Sequence, residues 1–311
     1  MKVLVTGGAG FIGSHVADAL IEEGHEVVVL DDLSTGRRGN VAAAAHFVEG
    51  DIRDDALLER LFAEHRFQVV CHQAAQTSVS VSTREPVRDA DINVLGSVRL
   101  LESARRHGVE RFVFASTGGA IYGEVPEGQR ATEAWPARPL SPYACSKLAF
   151  EGYLAAYRQE HGQPYTILRY ANVYGPRQDP HGEAGVVAIF SQRLVAGEPI
   201  RINARRDLGD AGCVRDYVSV RDVVRANLLA VHGRLESPVV NVGTGIGTST
   251  LELAQAIERA LGVEAKREPG PRRPGDIERS VLEPNRELAA HLESVPLDRG
   301  IAETARSFAR S

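Results

Sequence analysis

Cysteine is scarce: Cys71, Cys145 and Cys213 are the only three in the chain. They are too few and too scattered for a disulfide framework or a zinc site, and no CxxC occurs, so they read as free thiols of a reducing compartment. Positive charge is not in excess either. Lys and Arg number 36 against 41 Asp and Glu, a formal net charge of −5, so neither nucleic acid nor an anionic membrane surface is expected as the main partner. Long apolar runs are missing: Val186–Phe190 is among the longer ones, far short of the ~20 residues that span a membrane. A strand-like run occupies Lys2 to Thr6, which leaves no room for a signal peptide, and a cytoplasmic location is expected. The ten histidines show no metal-ligand spacing, since His15, His25 and His46 fall in different elements. No metal is therefore expected. Internal repeats and low-complexity tracts are absent.

What is present is alternation. With 311 residues, 43% hydrophobic and 25% charged, the chain is long enough for one large α/β domain plus a smaller lobe. Val3–Val5, Val27–Leu30, Phe47–Val48, Val69–Cys71, Phe112–Ala115 and Thr166–Leu168 read as buried parallel strands. Between them lie helical stretches at Phe11–Glu23, Asp54–Glu64, Asn93–His107 and Tyr143–His161. Strand–helix alternation on this scale predicts a doubly wound parallel sheet of Rossmann type. After Asn172 the texture changes to a loop punctuated by Gly175, Pro176, Pro180, Gly182 and Gly185, then shorter elements and the basic, Pro-rich stretch Lys266–Arg273. The expected organisation is a dinucleotide-binding domain over 1–172 and a smaller C-terminal α/β substrate lobe over 173–311, with the segment of about 216–241 returning to the first.

The first strand runs into Gly7-Gly8-Ala9-Gly10-Phe11-Ile12-Gly13 and then a helix. Glycines in that context let the backbone turn tightly and approach a pyrophosphate, whose charge faces the helix N-terminus. Asp31 ends the second strand, 18 residues after Gly13. A carboxylate there accepts hydrogen bonds from ribose hydroxyls and repels a 2′-phosphate, and no arginine follows until Arg37. NAD is favoured over NADP. Asp51-Ile52, after the third strand, suits an adenine contact.

Tyr143 and Lys147 stand one helical turn apart on the same face. The ammonium is expected to stabilise a phenolate and make the tyrosine a usable general base. Upstream, the strand Phe112–Ala115 ends in Ser116-Thr117-Gly118-Gly119, putting hydroxyls at the C-terminal edge of a parallel sheet, where open α/β sheets bind ligands.

TGGAGFIGSH (6–15), DDLSTG (31–36), GDIRD (50–54), YACSK (143–147), LRYANVYGPRQ (168–178), VRDYV (214–218) and NVGTG (241–245) together resemble the extended short-chain dehydrogenases that act on nucleotide sugars. The likeness covers essentially the whole chain, and within that superfamily it looks most like the bacterial UDP-glucose 4-epimerases. The resemblance implies NAD contacts from Gly7, Gly10, Phe11, Ile12, Gly13, Asp31, Asp32, Ser34, Thr35, Gly36, Asp51, Ile52, Gln73, Ala74, Ala75, Asn93, Ser116, Tyr143, Lys147 and Tyr170. For the UDP-sugar it implies Thr117, Tyr143, Asn172, Val186, Arg215, Arg273, Asp276 and Ser280. Arginine's planar fork suits diphosphate oxygens, which is the place of Arg215 and Arg273. Ser280, where an aromatic would narrow the sugar pocket, leaves volume for an N-acetyl group. Apart from the resemblance, His181 in the loop 179–183 is a candidate for substrate contact, against the commoner reading of a loop histidine as simply solvated. A homodimer packed through the helices near 93–107 and 145–160 is also implied.

Two departures from the family pattern matter. Its catalytic serine, four positions before the YG of the motif Ile121-Tyr122-Gly123, is Gly118 here; the hydroxyl role falls to Thr117 ahead of Ser116. A lysine the family often carries two places after the segment matching Gln73–Ala75 is Thr77. Related nucleotide-sugar 4,6-dehydratases resemble one another in carrying Asp-Glu, or Glu alone, directly after the Ser/Thr. Gly118 and Gly119 occupy those places and cannot transfer protons. The chemistry is expected to stop at a 4-keto sugar and return the hydride, an NAD-dependent epimerisation at C4 of a UDP-hexose. A lyase or decarboxylase acting on a related nucleotide sugar, and a non-catalytic NAD-binding protein, are the alternatives.

Overall fold

A computed structural model describes residues 1–180, 185–273 and 275–309 of the chain. Its strands are β1 (Lys2–Thr6), β2 (Glu26–Asp31), β3 (His46–Glu49), β4 (Val69–His72), β5 (Arg111–Thr117), β6 (Tyr165–Tyr170), β7 (Asn172–Tyr174), β8 (Ile200–Asn203), β9 (Val214–Ser219), β10 (Val239–Val242), β11 (Gly247–Ser249), β12 (Arg267–Gly270) and β13 (Arg279–Ser280). Seven of them form one parallel sheet in the order β10-β6-β5-β4-β1-β2-β3. The chain first builds outward from β1 through β2 to β3, then crosses to the other side of β1 to begin again at β4. Val5 lies in register with Val29 on one side and Cys71 on the other. The reversal puts the topological switch point at the carboxyl ends of β1 and β4, the place where open α/β sheets receive ligands. The expected Rossmann-type α/β fold is the one the chain adopts.

The chain divides into two compact units. The first comprises Met1–Thr117, Ser141–Arg169 and Val223–Val240. Its β-branched strand residues are buried without alternation, as a sheet covered on both faces requires. Leu4, Val28, Leu30, Val70, Phe112 and Phe114 join Leu58, Phe62, Leu100, Leu101 and Phe150 from the helices in one core, most of them fully buried. Each such side chain contributes about 1.5–3 kcal/mol by leaving water. The second unit comprises Gly118–Leu140, Tyr170–Asp222 and Asn241–Ser311. In it β9 pairs with β11 antiparallel and with β13 and β7 parallel, while β12 pairs with β8. Helices Val186–Val195, Thr250–Leu261 and Leu297–Phe308 close over a separate core that includes Phe190, Leu253, Ile257 and Ile301.

Among the described residues, no helix is long and apolar enough to cross a membrane.

Candidate active site

The glycine loop is shaped by steric necessity. Gly7 has φ +67°, and a Cβ on it would stand 2.6 Å from the amide nitrogen of Ala74. A Cβ on Gly13 would run into the carbonyl oxygen of Gly7, so helix Phe11–Glu22 approaches the loop closely only because position 13 has no side chain. Gly10 is the N-cap of that helix, with no side-chain hydrogen bond to the cap and no acidic residue in the first turn. Its first amide groups and the positive end of its dipole are thus left for an anion. Asp31, at the end of β2, accepts from the backbone of Ala9 and Leu33, both at 2.9 Å. Burial pushes its carboxyl up, against those two bonds. Just beyond it Asp32 accepts from the amide and hydroxyl of Ser34; Thr35 is exposed, and a Cβ on Gly36 would stand 2.7 Å from the Asp31 carboxylate. This cradle, together with a ribose-type carboxylate, fits a dinucleotide. Its pyrophosphate would lie on Gly7–Gly13 and its adenosine ribose on Asp31.

Further along the sheet edge, Asp51 is gripped by Arg53, which reaches Asp91 as well (2.6 and 2.7 Å). The guanidinium holds the Asp51 carboxyl below its usual range. Ile52 is buried in the core against Gly96. The side chain of Gln73 is committed to Asn227, 2.9 Å away, and Ala74 donates its amide to Thr6 Oγ1. Ala75 follows Ala74 in the same loop after β4. Asn93 lies in a π-helical turn, Asp91–Gly96, and clamps the backbone of Gln76 through both ends of its amide (2.9 and 2.8 Å).

The proton-handling group is assembled from β5 and helix Pro142–His161. Ser141 caps that helix through the amide of Ala144, and Pro142 fills its first turn, a start that suits a residue whose N–H needs no partner. This register places Tyr143, Lys147 and Glu151 on successive turns of one face. Thr117 stands beside the Tyr143 hydroxyl and acts to lower its pKa. Burial pushes that phenol well above its ordinary value, and the charge of Asp89 adds to the rise. The phenol is therefore not acidified by the protein's own charges, as the spacing of Tyr143 and Lys147 had suggested. Lys147 is almost wholly buried, donates to the carbonyl of Ala115 at 2.9 Å and lies 4.7 Å from the centre of the Phe114 ring. Burial lowers its ammonium to about 8, opposed by Asp89 and Glu151. Ser116 turns the other way: its hydroxyl donates to buried Glu151 at 2.5 Å, and Glu151 is paired with Arg169.

Asp89 has no part in the sequence reading, yet it is fully buried and ties this site together. Its carboxylate accepts from Gln76 Nε2 at 2.7 Å, Asn93 Nδ2 at 3.0 Å and Ser146 Oγ at 2.6 Å. Residues 76, 93 and 146 converge only in the fold. Glu151 is equally absent from it, although its place four residues after Lys147 is a usable signal.

In the second unit, Gly118 and Gly119 open the short helix Gly118–Ile121, and a Cβ on Gly119 would stand 3.1 Å from the side-chain oxygen of Asn172. Tyr170 is buried. Val186 begins helix Val186–Val195 and packs on the core. Arg215 lies on β9 in register with Ser280 on β13, and Ser280 is buried. Arg273 is exposed and faces the side-chain amide of Asn203; with that oxygen turned toward it, Nε and Nη2 donate at 2.8 and 3.0 Å. The Asp276 amide donates to the Arg273 carbonyl, so the two side chains flank one turn. Neighbouring Asp216 is buried and structural, accepting from Thr244, Gly245 and Leu282. His181 falls outside the described residues.

Residues 3–243 match the model of the NAD dependent epimerase/dehydratase family. A UDP-glucose 4-epimerase of Mycolicibacterium smegmatis is 47% identical over 99% of this chain and 98% of its own length. Among solved structures, the Thermus thermophilus UDP-glucose 4-epimerase in complex with NAD is 55% identical, with a TM-score of 0.95 over 99% of both chains. The Thermotoga maritima UDP-glucose 4-epimerase with UDP-glucose is 46% identical, with a TM-score of 0.92 over 100% of this chain and 99% of the other.

Proposed function

Because this chain belongs to the NAD dependent epimerase/dehydratase family, we infer that it is an NAD-dependent isomerase interconverting the C4 epimers of a UDP-hexose, the glucose and galactose forms. Bound NAD⁺ supplies the acceptor and later the donor of the C4 hydride, and a positive charge. The protein's own task is the proton. Tyr143, beside Thr117, would act as the phenolate that the cofactor's positive charge favours against burial: it takes the proton of the 4-hydroxyl as a 4-keto sugar forms, and returns it after the sugar has turned about its diphosphate link to present the other face. Buried Lys147 keeps an ammonium one turn below. The cycle is redox-neutral, so the cofactor is held and not exchanged at each turnover.

The observation that carries this reading is the Thr117–Tyr143–Lys147 group followed directly by Gly118-Gly119. A proton-transfer group able to abstract from C5 is missing from those two positions, so the keto sugar has only the return path. Incubation with UDP-galactose should yield UDP-glucose without net change in NADH absorbance. A 4-keto-6-deoxy product would establish a dehydratase instead, and no turnover of any nucleotide sugar a non-catalytic NAD-binding protein.

The same reading assigns 1–172 to the cofactor, with the return of about 216–241, and 173–311 to the UDP-sugar. Arg215 and Arg273 are the diphosphate ligands and Asp276 the uridine ribose ligand; Asn172 and Val186 complete the anchor. A firm nucleotide anchor beside a loosely held sugar suits a reaction in which binding energy comes from parts that do not react. Serine at 280 leaves volume for an N-acetyl group, so UDP-N-acetylglucosamine should be turned over as well. Undetectable turnover of that sugar beside brisk turnover of UDP-galactose would remove Ser280 from its role. The enzyme acts in the cytoplasm as a homodimer packed through the helices near 93–107 and 145–160, where Leu95 and Tyr153 remain exposed apolar side chains.

A further inference from the structure

Away from the catalytic edge of the sheet, three metal-ligating side chains of the first unit converge. Glu23 is the C-cap of helix Phe11–Glu22, Gly24 reverses the chain with φ +80°, and His25 follows. His232 is the residue immediately after helix Val220–Val231. The fold brings these positions, 209 residues apart in the case of Glu23 and His232, to within bonding reach. His232 Nε2 lies 2.7 Å and His25 Nε2 3.5 Å from the same oxygen of Glu23. The two rings are 5.3 Å apart between centres, and all three donor atoms lie within 4.8 Å of one another.

His25 Nε2 is the second observation. It is buried and has no hydrogen-bond partner, a rare condition for a ring nitrogen. A buried ring nitrogen aimed at a carboxylate and a second imidazole is a ligand in waiting. Zn–N and Zn–O bonds of about 2.0–2.2 Å in a tetrahedral site set donor atoms roughly 3.3 Å apart. The spacings here bracket that value, and small rotations of the three side chains reach it.

We propose that Glu23, His25 and His232 form a binding site for one divalent transition-metal ion of the zinc class, with water completing its coordination. Two imidazoles and one carboxylate favour zinc, cobalt, nickel or copper over magnesium or calcium, which prefer all-oxygen sites. The site lies at the N-terminal ends of the strands, beside the start of β2, whereas Thr117 is at the C-terminal end of β5. Its ion is therefore a staple and not a catalyst. It joins the C-terminal ends of two helices, one carrying the glycine loop at its other end, the other holding Gln73 through Asn227.

The test uses the full untagged chain, loaded with NAD and treated with a chelator, then titrated with ZnSO₄ by calorimetry and with CoCl₂ by absorption spectroscopy. One equivalent of each should bind, and saturating zinc should raise the melting temperature by a few degrees, as expected of any ligand that binds only the folded state. H25A/H232A should weaken zinc by roughly tenfold or more and abolish the melting shift while epimerase turnover stays at the wild-type rate. Should that double variant fold poorly, Glu23→Gln, which keeps the helix end polar, must show the same loss of affinity. Stoichiometric binding that survives both variants, or a melting temperature indifferent to zinc, overturns the proposal.

Discussion

Ser116 and Thr117 are adjacent in β5 but have different partners, and that difference decides which hydroxyl serves the reaction. Ser116 gives its proton to a buried carboxylate, already charge-paired with Arg169. Thr117 stands beside the Tyr143 hydroxyl instead. Thr117→Val should lower kcat on UDP-galactose roughly 10²-fold, the usual weight of a positioned proton-relay group. Ser116→Ala, which leaves the Glu151–Arg169 pair intact, should be mild. If steady-state kinetics return the reverse order, the two roles must be exchanged. Asp89 permits a sharper test because its charge acts on both partners of the pair, raising Tyr143 and raising Lys147. Asp89→Asn keeps an acceptor for Gln76 and Asn93 but removes the charge. Both groups should then lose protons at lower pH, and both limbs of the kcat/KM profile should move to the acid side. A loss of activity with the profile unmoved would mean that Asp89 matters only as a structural hub.

At the level of elements, the glycine loop shows how a missing side chain sets a helix in place. Gly13→Ala would push the first turn of helix Phe11–Glu22 away from Gly7, displacing the amides that face a pyrophosphate. The variant should purify with little bound NAD, as read by absorbance after denaturation, while its far-UV circular dichroism stays near wild type. Full cofactor occupancy would show that the loop can yield without cost. Elements of this kind were legible in the sequence because their signals are local. Strands β1 to β6 carry continuous β-branched or aromatic runs, and helix Pro142–His161 announces its start with Ser141-Pro142 and its end with Gly162 at φ +68°. The π-helical turn at Asp91–Gly96 was not legible: it interrupts what reads as one amphipathic helix, and its side-chain bonds go to Gln76 and Asp89. Asp89 itself stands in the charge-rich run Arg84–Asp91, which reads as a solvated surface until the fold buries it. His25 and His232 are a stronger case, since no spacing rule links residues so far apart. Tyr143 and Lys147 were visible because one turn of helix is a short-range relation; the phenol's raised pKa was not, because burial belongs to the tertiary structure.

For the molecule as a whole, the same burial that equips the site creates an acid-sensitive point. His72 ends β4 with no exposure, its ring packed against Phe112, Phe114 and Phe150. Nδ1 lies 2.7 Å from Thr6 Oγ1 and Nε2 2.9 Å from Ser97 Oγ. Because Ser97 donates to the carbonyl of Asn93, its oxygen is left to accept from Nε2–H, and Nδ1 then accepts from Thr6. The neutral tautomer satisfies every group in the chain, and a second ring proton has no acceptor there. Burial, followed by the charge of Lys147, holds this histidine well below 6.5. The unfolded chain takes up a proton near that pH and the folded chain does not. Stability is thus complete above pH 6.5 and falls as the pH drops toward the folded value, by about 1.4 kcal/mol for each unit of pH. His72→Gln, measured by urea denaturation at pH 7 and pH 5, should be less stable than wild type at the higher pH but should lose less between the two. An unchanged difference would place the acid sensitivity in other groups and leave His72 as a packing residue alone.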